Sequence, residues 1–392
     1  MTSEWHEVPL RELVGYISKG IAPSYAEEAS ETTIRVLNQK CNRNFRISYG
    51  DSRLHDTLKK KVPPERYVKP DDILINSTGA GTAGRIAQIE DVPSATTIDG
   101  HMILIRSNRK VTQKFLGYAL KAHQWEVLQL DEGSTGQTEL NRDRLLDEIM
   151  INYPVSFDEQ NAIVGTLESI DRKLIVNEQL NDNLLDQAQT LYKQHFPYSV
   201  QDDLPDGWRI GTVGEIIEIH DSKRIPLSGA DRMKMEKKIY PYYGAASLMD
   251  YVDNYIFDGK YLLLGEDGTV VDDAGYPILQ YVWGQFWVNN HAHILTGRLG
   301  FNVESLYMLF KQTPVKSIVT GAVQPKISQA NLRSVQVVIP PEHNLKEYND
   351  LVEPLFSLLR ANEEECKSLA ALRDTLLPKL MSGEIDVSAV QL

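Results

Sequence analysis

Two segments of the chain show the hydrophobic spacing of long amphipathic helices. In the first, apolar residues follow one another in steps of four and three, at Ile163, Leu167, Ile170, Leu174, Leu184, Ala188 and Leu191. In the second, the same rule places Val352, Leu355, Leu359, Leu369, Leu376 and Leu380. This spacing is typical of the a and d positions of a coiled coil. It predicts two long helical regions, over 156–197 and 341–392.

Polar residues occupy the positions that these two series skip. They are Asn177 and Asn181 in the first series, and Asn362 and Cys366 in the second. Residues at matching places differ by 185 positions, which aligns Asn177, Leu184 and Leu191 with Asn362, Leu369 and Leu376. A buried polar residue at such a place lowers stability but fixes register and partner orientation. We therefore predict that the two helices pair through these six residues as an antiparallel coiled coil. The alternative is that each helix packs separately on its own domain.

Two prolines in the second segment oppose a long helix. Pro354 is expected in a first helical turn and not in an interior, and Pro378 is expected to break or kink the second helix.

The segments that precede the two helices repeat one another in order. Trp5 and Trp208 are each followed by apolar residues five and eight positions later, and each segment ends in an apolar strand and a proline. Strands are predicted at 72–76, 102–105, 261–264, 285–288 and 293–295, and short helices at 113–123 and 304–312. The predicted fold class is α+β, with two similar mixed α/β domains over 1–155 and 198–340. Two long helices separate these domains, and an internal pseudo-twofold repeat relates the halves.

Charge is distributed unevenly along the 392 residues, whose formal net charge is -13. Residues 155–206 hold 3 basic and 10 acidic residues, and residues 341–392 hold 5 and 10. By contrast, residues 35–69 hold ten basic residues against three acidic ones, and residues 222–238 hold six against two. Two basic stretches on otherwise neutral segments favour contact with phosphates. The alternative is that these basic residues form an ordinary solvated surface without phosphate contacts.

Other features narrow the class of protein. No apolar run approaches the roughly 20 residues of a membrane span. The first residues lack a signal-peptide pattern, and the two cysteines match no zinc or disulfide spacing. The cytoplasm is therefore the expected compartment.

The segment Gly79-Ala-Gly-Thr-Ala-Gly84 spells G-x-G-x-x-G after a predicted strand. A dinucleotide site needs a helix to open at the third glycine. Here a second strand pattern begins at Arg85, so we predict a glycine-rich hairpin and no nucleotide cofactor. Its small residues Ser77, Thr78 and Thr82 would let the backbone approach DNA closely.

In the second half, Glu266 and Asp267 follow a predicted strand, and either a turn or a carboxylate pair for metal or acid–base chemistry fits them. No third metal ligand is evident nearby, which favours the turn. His291 and His293 would share one strand face, as metal ligands do, but structural hydrogen bonding is the safer interpretation. Asn289 and Asn290 are candidate contacts to adenine or phosphate.

Tyr242 and Tyr243 belong to an aromatic cluster beside the second basic stretch, where they are predicted to contact phosphate or to pack in a core. The chain carries no G-x-x-x-x-G-K-[ST] motif, no Asn/Asp-Pro-Pro-aromatic tetrad and no assignable catalytic set. Recognition is therefore favoured over catalysis.

Three segments in this order resemble the specificity subunit of Type I restriction-modification systems. They are Asp72-Ile-Leu-Ile-Asn-Ser-Thr-Gly-Ala-Gly-Thr-Ala-Gly-Arg85, Thr320-Gly-Ala-Val-Gln-Pro-Lys-Ile327 and Leu376-Leu-Pro-Lys-Leu-Met-Ser-Gly-Glu-Ile385. The segment from Phe286 to His293 also resembles a target-recognition segment.

The resemblance implies that each domain recognises one half of a split, asymmetric double-stranded DNA target, and that the helices set the gap between the halves. Two adenine-methyltransferase subunits would dock on the helices, and ATP-driven restriction and translocase subunits would join them. S-adenosylmethionine, ATP and Mg²⁺ would belong to those partners, so no cofactor and no metal are expected in this chain. A helix over residues 163–195 would be about 50 Å long. It could hold the two domains ~34 Å apart, which is the separation of successive major-groove faces.

The residues predicted to contact DNA are Lys40, Arg43, Arg46, Lys59, Lys60, Lys61, Ser77, Thr78, Thr82, Arg85, Lys223, Arg224, Tyr242, Tyr243, Asn289 and Asn290. Two alternative classes stay open. One is a two-domain protein-binding scaffold without DNA contact, which the acidic total favours. The other is a stand-alone nuclease or methyltransferase, which the missing motifs disfavour.

Overall fold

The structure is a computed structural model that describes residues 4–79, 81–132, 139–321 and 323–387. It divides into two units: unit 1 contains Met1–Ile175 and Cys366–Leu392, and unit 2 contains Val176–Glu365. Each unit therefore combines a globular segment with part of both long helices. Within the described ranges, no helix is both long and apolar enough to cross a bilayer.

In the globular part of unit 1, the described residues form short strands and three short α-helices. The strands are β1 (Trp5–Pro9), β2 (Val14–Lys19), β3 (Tyr25–Ala26), β4 (Thr33–Leu37), β5 (Asn42–Arg43), β6 (Arg46–Ile47), β7 (Arg53–Asp56), β8 (Ile73–Asn76), β9 (Ile86–Gln88), β10 (Thr96–Ile98), β11 (Met102–Ser107), β12 (Asp131–Glu132), β13 (Glu139–Leu140) and β14 (Met150–Pro154). The helices are α1 (Gln113–Ala122), α2 (Gln124–Val127) and α3 (Arg142–Glu148). The long helix α4 (Phe157–His195) follows and continues into unit 2.

Unit 2 has the same kind of composition. Its strands are β15 (Arg209–Thr212), β16 (Ile217–Ile219), β17 (Tyr240–Tyr243), β18 (Leu248–Val252), β19 (Phe257–Asp258), β20 (Tyr261–Gly265), β21 (Leu279–Val282), β22 (Gln285–Val288), β23 (Ala292–Gly297) and β24 (Gln336–Ile339). Its short helices are α5 (Val213–Ile216), α6 (Gly229–Met233), α7 (Val303–Phe310) and α8 (Gln329–Ser334). The second long helix, α9 (Glu342–Met381), begins here and ends in unit 1.

The central sheets of the two units have the same strand order. In unit 1 it is β2-β11-β8-β9 and in unit 2 it is β16-β23-β20-β21, with antiparallel neighbours throughout. A second four-stranded sheet in each unit contains one parallel pair, β4 with β10 and β17 with β22. The first and last strands of each globular segment also pair, β1 with β14 and β15 with β24. The predicted repeat of two mixed α/β domains is confirmed.

The core of unit 1 includes both long helices. Ile163 and Leu167 of α4 and Leu377 and Leu380 of α9 belong to the same buried cluster as the central sheet and α1. Burying an aliphatic side chain contributes about 1.5–3 kcal/mol. The helices are thus part of the hydrophobic core and not an appendage to it.

Unit 2 repeats this arrangement with the other ends of the same helices. Ala188 and Tyr192 of α4 share a buried cluster with Tyr348, Val352 and Phe356 of α9 and with the central sheet. Tyr348 also donates its hydroxyl to the carbonyl oxygen of Ala188 over 3.1 Å. Each helix therefore packs on a domain and on the other helix, which combines the two alternatives that the sequence left open.

The direction of pairing follows from polar contacts within unit 2. Asn177 Nδ2 donates to Glu365 Oε2 over 2.6 Å, and Asn362 Nδ2 donates to Asn181 Oδ1 over 2.8 Å. Residue numbers rise along α4 as those of the partners fall along α9, so the helices are antiparallel, which confirms the prediction. The pairing residues differ in detail, because the amide layer joins Asn362 to Asn181 whereas Asn177 meets a carboxylate.

The predicted leucines are buried unequally. Leu184 is buried, whereas Leu191, Leu369 and Leu376 are half-buried. Near the end of α9, the buried positions are Leu377, Leu380 and Met381 instead.

The expectation that Pro354 lies in a first turn was wrong, and Pro378 does not break the helix. Pro354 and Pro378 both lie inside the continuous helix α9. An interior proline costs about 3 kcal/mol because it removes a backbone donor and crowds the preceding turn. Burial of Val352 and Phe356 around the first proline, and of Leu377 and Leu380 around the second, offsets that cost.

Candidate nucleic-acid interface

The first basic stretch in unit 1 begins on a tight turn at the surface. Asn38 caps this turn, because its Oδ1 accepts from the backbone N–H of Lys40 over 2.8 Å. The side chains of Lys40 and Arg43 are exposed, and Arg46 is half-buried. Arg43 has a loose ion pair with Asp51, with 4.0 Å between Nη2 and Oδ2. An exposed pair of this kind contributes little stability, so its charge is readily exchanged for a phosphate.

Three consecutive lysines follow β7, and all three are exposed. Lys59 lies 3.8 Å from a carboxylate oxygen of Asp56. Lys60 Nζ donates to the backbone carbonyl of Ala22 over 2.8 Å, which fixes its direction without neutralising its charge. Lys61 completes a concentration of positive charge on the loop.

The glycine-rich segment of unit 1 is a hairpin, as predicted. Strands β8 and β9 pair antiparallel on either side of it. Gly79, Gly81 and Gly84 have φ of +120°, +68° and +84°, a region that disfavours other residues. No helix opens at the third glycine, so the geometry of a dinucleotide site is missing from this segment. Arg85 is exposed, and its Nη2 donates to the carbonyl of Gly81 over 3.3 Å.

The small polar residues of this hairpin have different surroundings. Ser77 is 0% exposed and its hydroxyl donates to the carbonyl of Gly100. This burial argues against the prediction that Ser77 touches DNA. Thr78 and Thr82 are half-buried, with Thr78 Oγ1 2.7 Å from His101 Nδ1.

The second basic stretch is less available than its composition indicates. Lys223 is exposed on a short turn. The side chain of Arg224, however, is only 13% exposed and is held by Glu266 Oε2 at 2.6 Å and by the carbonyl of Ala292 at 2.8 Å. Arg224 also lies 3.4 Å from Asp221. These contacts give Arg224 an internal role, which argues against its prediction as a DNA contact.

A buried polar cluster surrounds this arginine. Asp221 Oδ2 lies 2.6 Å from His293 Nδ1, and Glu266 Oε1 lies 3.2 Å from Lys326 Nζ. Burial raises the pKa of Asp221, but the hydrogen bond from His293, the backbone N–H of Ile294 and the charge of Arg224 outweigh it, so the pKa lies below its usual range. The pKa of Glu266 is likewise lowered, because its contacts with Arg224, His293 and Lys326 outweigh burial.

Ligand atoms of Asp221, Glu266 and His293 lie within 4.8 Å of one another, which is close enough for a metal ion. The charges do not fit one, because both carboxylates already contact cationic side chains. His293 Nε2 also contacts the carbonyl of Ile327 at 2.8 Å, so both ring nitrogens are engaged. The sequence analysis found no third ligand near Glu266, because Asp221 and His293 are far from it in sequence. Structural hydrogen bonding, predicted for His293, describes the cluster better than metal binding.

The aromatic and amide candidates of unit 2 lie on and after β17 and β22. Tyr242 is 1% exposed and its hydroxyl is near Leu227, which argues against the prediction of a phosphate contact. Tyr243 is half-buried, and burial raises its pKa to about 12. Asn289 is buried and turns the chain by accepting from the N–H of His291 over 2.8 Å. Asn290 is exposed.

The exposed candidates therefore concentrate in a few loops. In unit 1 these are the basic loops and the glycine hairpin, and in unit 2 they are the ends of the central strands. The segment Thr135-Gly136-Gln137, which is similar in sequence to the segment that begins at Thr320, lies outside the described residues. His101 was not among the predicted residues; it contacts Thr78 in unit 1 as His291 contacts Asp267 in unit 2.

Comparison with known proteins agrees with this architecture. The family model for the Type I restriction modification DNA specificity domain matches residues 2–186 and again residues 205–370. A Haemophilus influenzae protein named as a type I restriction enzyme specificity subunit is 32% identical over 127 residues, which is 32% of this chain and 32% of that protein. The MjaIX specificity subunit of Methanocaldococcus jannaschii is 24% identical over 375 residues, covering 87% of this chain and 83% of that one.

One solved structure has the same fold over nearly the whole chain. The Type I restriction-modification S subunit from M. genitalium aligns with a TM-score of 0.56 and 18% identity, covering 97% of this chain and 96% of that one. The two family matches fall on the two halves that the strand order relates, and together they account for most of the sequence. The chain therefore belongs to the family of Type I restriction-modification DNA specificity subunits, whose role is DNA recognition.

Proposed function

We propose that this chain is a non-catalytic subunit that recognises a split, asymmetric double-stranded DNA target, with each unit contacting one half. The observation that carries the proposal is the repeat. Two units with the same central sheet order each carry exposed polar and basic residues in their loops. Two similar recognition modules in one chain suit a target with two separate halves, and their sequence differences suit an asymmetric one.

Phosphate contact is assigned to exposed cations that lack a strong internal partner. In unit 1 these are Lys40, Arg43, Lys59 and Lys61, and in unit 2 the candidate is Lys223. Cations of this kind supply sequence-independent affinity, because binding releases counterions from the DNA. Thr78 and Asn290 are candidates for contacts to base edges, which supply specificity.

The helical regions are proposed to bind protein partners. Their excess of acidic residues disfavours contact with DNA phosphates. It also offers a binding surface to two adenine-methyltransferase subunits, and restriction and translocase subunits would join that complex. S-adenosylmethionine, ATP and Mg²⁺ are assigned to those partners. The cytoplasm is the proposed compartment.

Salt dependence of binding tests the phosphate contacts. The chain is purified with its methyltransferase subunits, and its affinity for duplex DNA is measured by filter binding between 50 and 200 mM salt, a range over which phosphate contacts dominate. Arg43→Ala should weaken binding to all sequences and lower the slope of log affinity against log salt by about 1. Arg11→Ala, which alters an arginine of unit 1 that lies outside the basic stretches and pairs with Asp147, is the matched control and should leave the slope unchanged. An unchanged slope in Arg43→Ala removes that residue from the phosphate contacts, and no DNA binding by the unaltered complex favours the protein-binding scaffold.

Helix length tests the proposed spacer. Deleting one heptad within 170–190 of α4, together with the matching heptad of α9, keeps the a and d positions in register. The pair shortens by about 10 Å, which corresponds to about 3 base pairs. Single-molecule sequencing of methylated adenines should show a shorter gap between unchanged half-sites. A change in the half-site bases would contradict the spacer role.

A further inference from the structure

One histidine occupies the same place in both units, immediately before the second strand of the central sheet. His101 precedes β11 in unit 1, and His291 precedes β23 in unit 2. The backbone N–H of His101 donates to Asp99 Oδ1 over 2.9 Å, and that of His291 donates to Asn289 Oδ1 over 2.8 Å. The same turn therefore presents a histidine in each unit, although the flanking residues differ.

Each imidazole is held at one ring nitrogen by a residue from the neighbouring strand. Nδ1 of His101 lies 2.7 Å from Thr78 Oγ1, and Nδ1 of His291 is hydrogen-bonded to Asp267 Oδ1. Thr78 and Asp267 are both the second residue after their strand, β8 or β20. The strand registers align these positions, because Met102 pairs with Asn76 just as Ala292 pairs with Gly265. The two pairs are thus equivalent by topology as well as by contact.

The other ring nitrogen is accessible in both units. Among the described residues, Nε2 of His101 and Nε2 of His291 have no hydrogen-bond partner in the protein. His101 is exposed, and the side chain of His291 is 44% exposed. Two residues further along, His293 behaves differently, since it is 0% exposed and both of its ring nitrogens contact protein oxygens. The contacts of His293 are those of a histidine that only stabilises the fold. His101 and His291 differ from it, because Nε2 of each ring is available to hydrogen-bond with another molecule.

The partner of Nδ1 decides what Nε2 can do. A carboxylate only accepts hydrogen bonds, so Asp267 requires a proton on Nδ1 of His291, and Nε2 of the neutral ring is then an acceptor. A threonine hydroxyl donates or accepts, so Thr78 permits either tautomer of His101. The two histidines therefore differ in the tautomers that their Nδ1 partners allow.

Charged side chains of both signs lie beside the loop of His291. Arg224 Nη1 donates to the carbonyl of Asn290 over 3.2 Å, and Lys326, whose backbone pairs with Asp267, contacts Glu266. In unit 1, Thr78 adjoins the glycine hairpin that ends in the exposed Arg85. In unit 2 both cations are paired with carboxylates, so the exposed Nε2 of His291, and not a basic surface, is what the loop offers to another molecule.

We propose that His101 and His291 are equivalent specificity-determining residues, each contacting a base of one half of the target through Nε2. Thr78 and Asp267 are positioning residues that orient the rings. For His291, the acceptor at Nε2 suits the amino group of adenine or cytosine in the major groove, because phosphate offers no donor. The inference rests on the proposed function of the chain as a DNA-recognition subunit.

Competition binding tests the two histidines separately. The complex with the methyltransferase subunits is assayed on its own target, first identified by sequencing methylated adenines, and on duplexes with single base-pair changes. His291→Ala should weaken cognate binding about tenfold and abolish discrimination at one base pair of one half-site. His101→Ala should do the same in the other half-site. His6→Ala, whose side chain is 47% exposed, is the matched control and should leave both unchanged.

Variants of Asp267 distinguish a positioning role of this residue from a general effect on stability. Asp267→Ala should reproduce the loss of discrimination of His291→Ala, and the double variant should lose no more than either single one. Asp267→Glu, which keeps the acceptor, should recover part of the discrimination. Additive losses, or an equal loss at both half-sites with a lowered melting temperature, would show a merely structural role and overturn the proposal.

Chemical modification of the unaltered complex gives a readout that does not depend on how variants fold. Carbethoxylation of histidines, followed by mass spectrometry with and without target DNA, should show protection of His101 and His291 and none of His6. If the unaltered complex binds no specific DNA, the proposed function fails. If it binds specifically but neither ring is protected and neither variant alters discrimination, only this inference is overturned.

Discussion

Replacing Asn362 with alanine probes the buried amide layer between α4 and α9 in unit 2. Asn362 is 6% exposed, and its Nδ2 donates to Asn181 Oδ1 over 2.8 Å. The replacement leaves the acceptor of Asn181 without this donor. A buried polar group without its partner costs about 1–3 kcal/mol, so we expect the free energy of unfolding of unit 2 to fall by about 2 kcal/mol.

A double-mutant cycle isolates the contribution of this hydrogen bond. Asn181→Ala and Asn362→Ala each break the same bond, so the double variant should lose about 1 kcal/mol less than the sum of the single losses. Replacing both residues with leucine should cost little or even stabilise unit 2, because neither amide is then left without its partner. Register specificity would fall in that variant, since the polar layer that penalises a shifted pairing is gone.

Equilibrium urea unfolding of the full chain measures these changes. With a slope of about 2 kcal/mol per molar urea, a loss of 2 kcal/mol moves the midpoint of unit 2 by about 1 M. Glu347→Ala, an exposed position on the same helix, is the control and should change stability by less than about 0.5 kcal/mol. Strictly additive single losses would refute the inferred coupling between the two amides.

Three further outcomes are expected. Leu380→Ala should lower the stability of unit 1 by about 2–5 kcal/mol because the side chain is buried where α9 meets the core, and an unaltered melting temperature would contradict this. Gly20→Ala should cost at least about 2 kcal/mol, because the added Cβ would lie 2.1 Å from the backbone oxygen of Asp99, and faster amide exchange in β2 and β11 would report it. Acidification should destabilise unit 2 through Asp221, whose pKa lies below its usual range because the hydrogen bond from His293 and other contacts outweigh the opposing effect of burial. A lowered folded-state pKa gives stability above the unfolded pKa of about 4 that is lost as the pH falls through the folded value, so Asp221→Asn should flatten the acid side of the stability profile, and identical profiles would argue against it.

The helices illustrate what local pattern can predict and where it fails. The a and d spacing from Ile163 onwards predicted α4, and the antiparallel pairing followed from matched asparagines. The same reasoning put too much weight on Pro354 and Pro378, because proline propensity is local whereas the offsetting burial comes from residues of other elements. It also missed Glu365 as the partner of Asn177, since the spacing indicates which faces of the helices pair but not which residues meet.

The sequence also could not rank the candidate DNA contacts. Composition marked Arg224 as basic and Ser77 as small, but the structure buries Ser77 and surrounds Arg224 with acceptors. The signal that points to His101 is its equivalence to His291, which becomes visible only when the strand registers align the two units.

The amino-acid sequence by itself determined the periodic and repeated features: two long helices, two similar α/β segments, and a glycine hairpin in place of a nucleotide loop. These depend on residues near one another in the chain, where spacing translates directly into which face of a helix or strand is apolar. Only the tertiary structure decided which polar groups are free. Asp221 and His293, 72 residues apart, satisfy each other, whereas Nε2 of His291 keeps its hydrogen-bonding capacity. Burial and partnership are properties of contacts between distant segments, and those contacts exist only once the chain has folded.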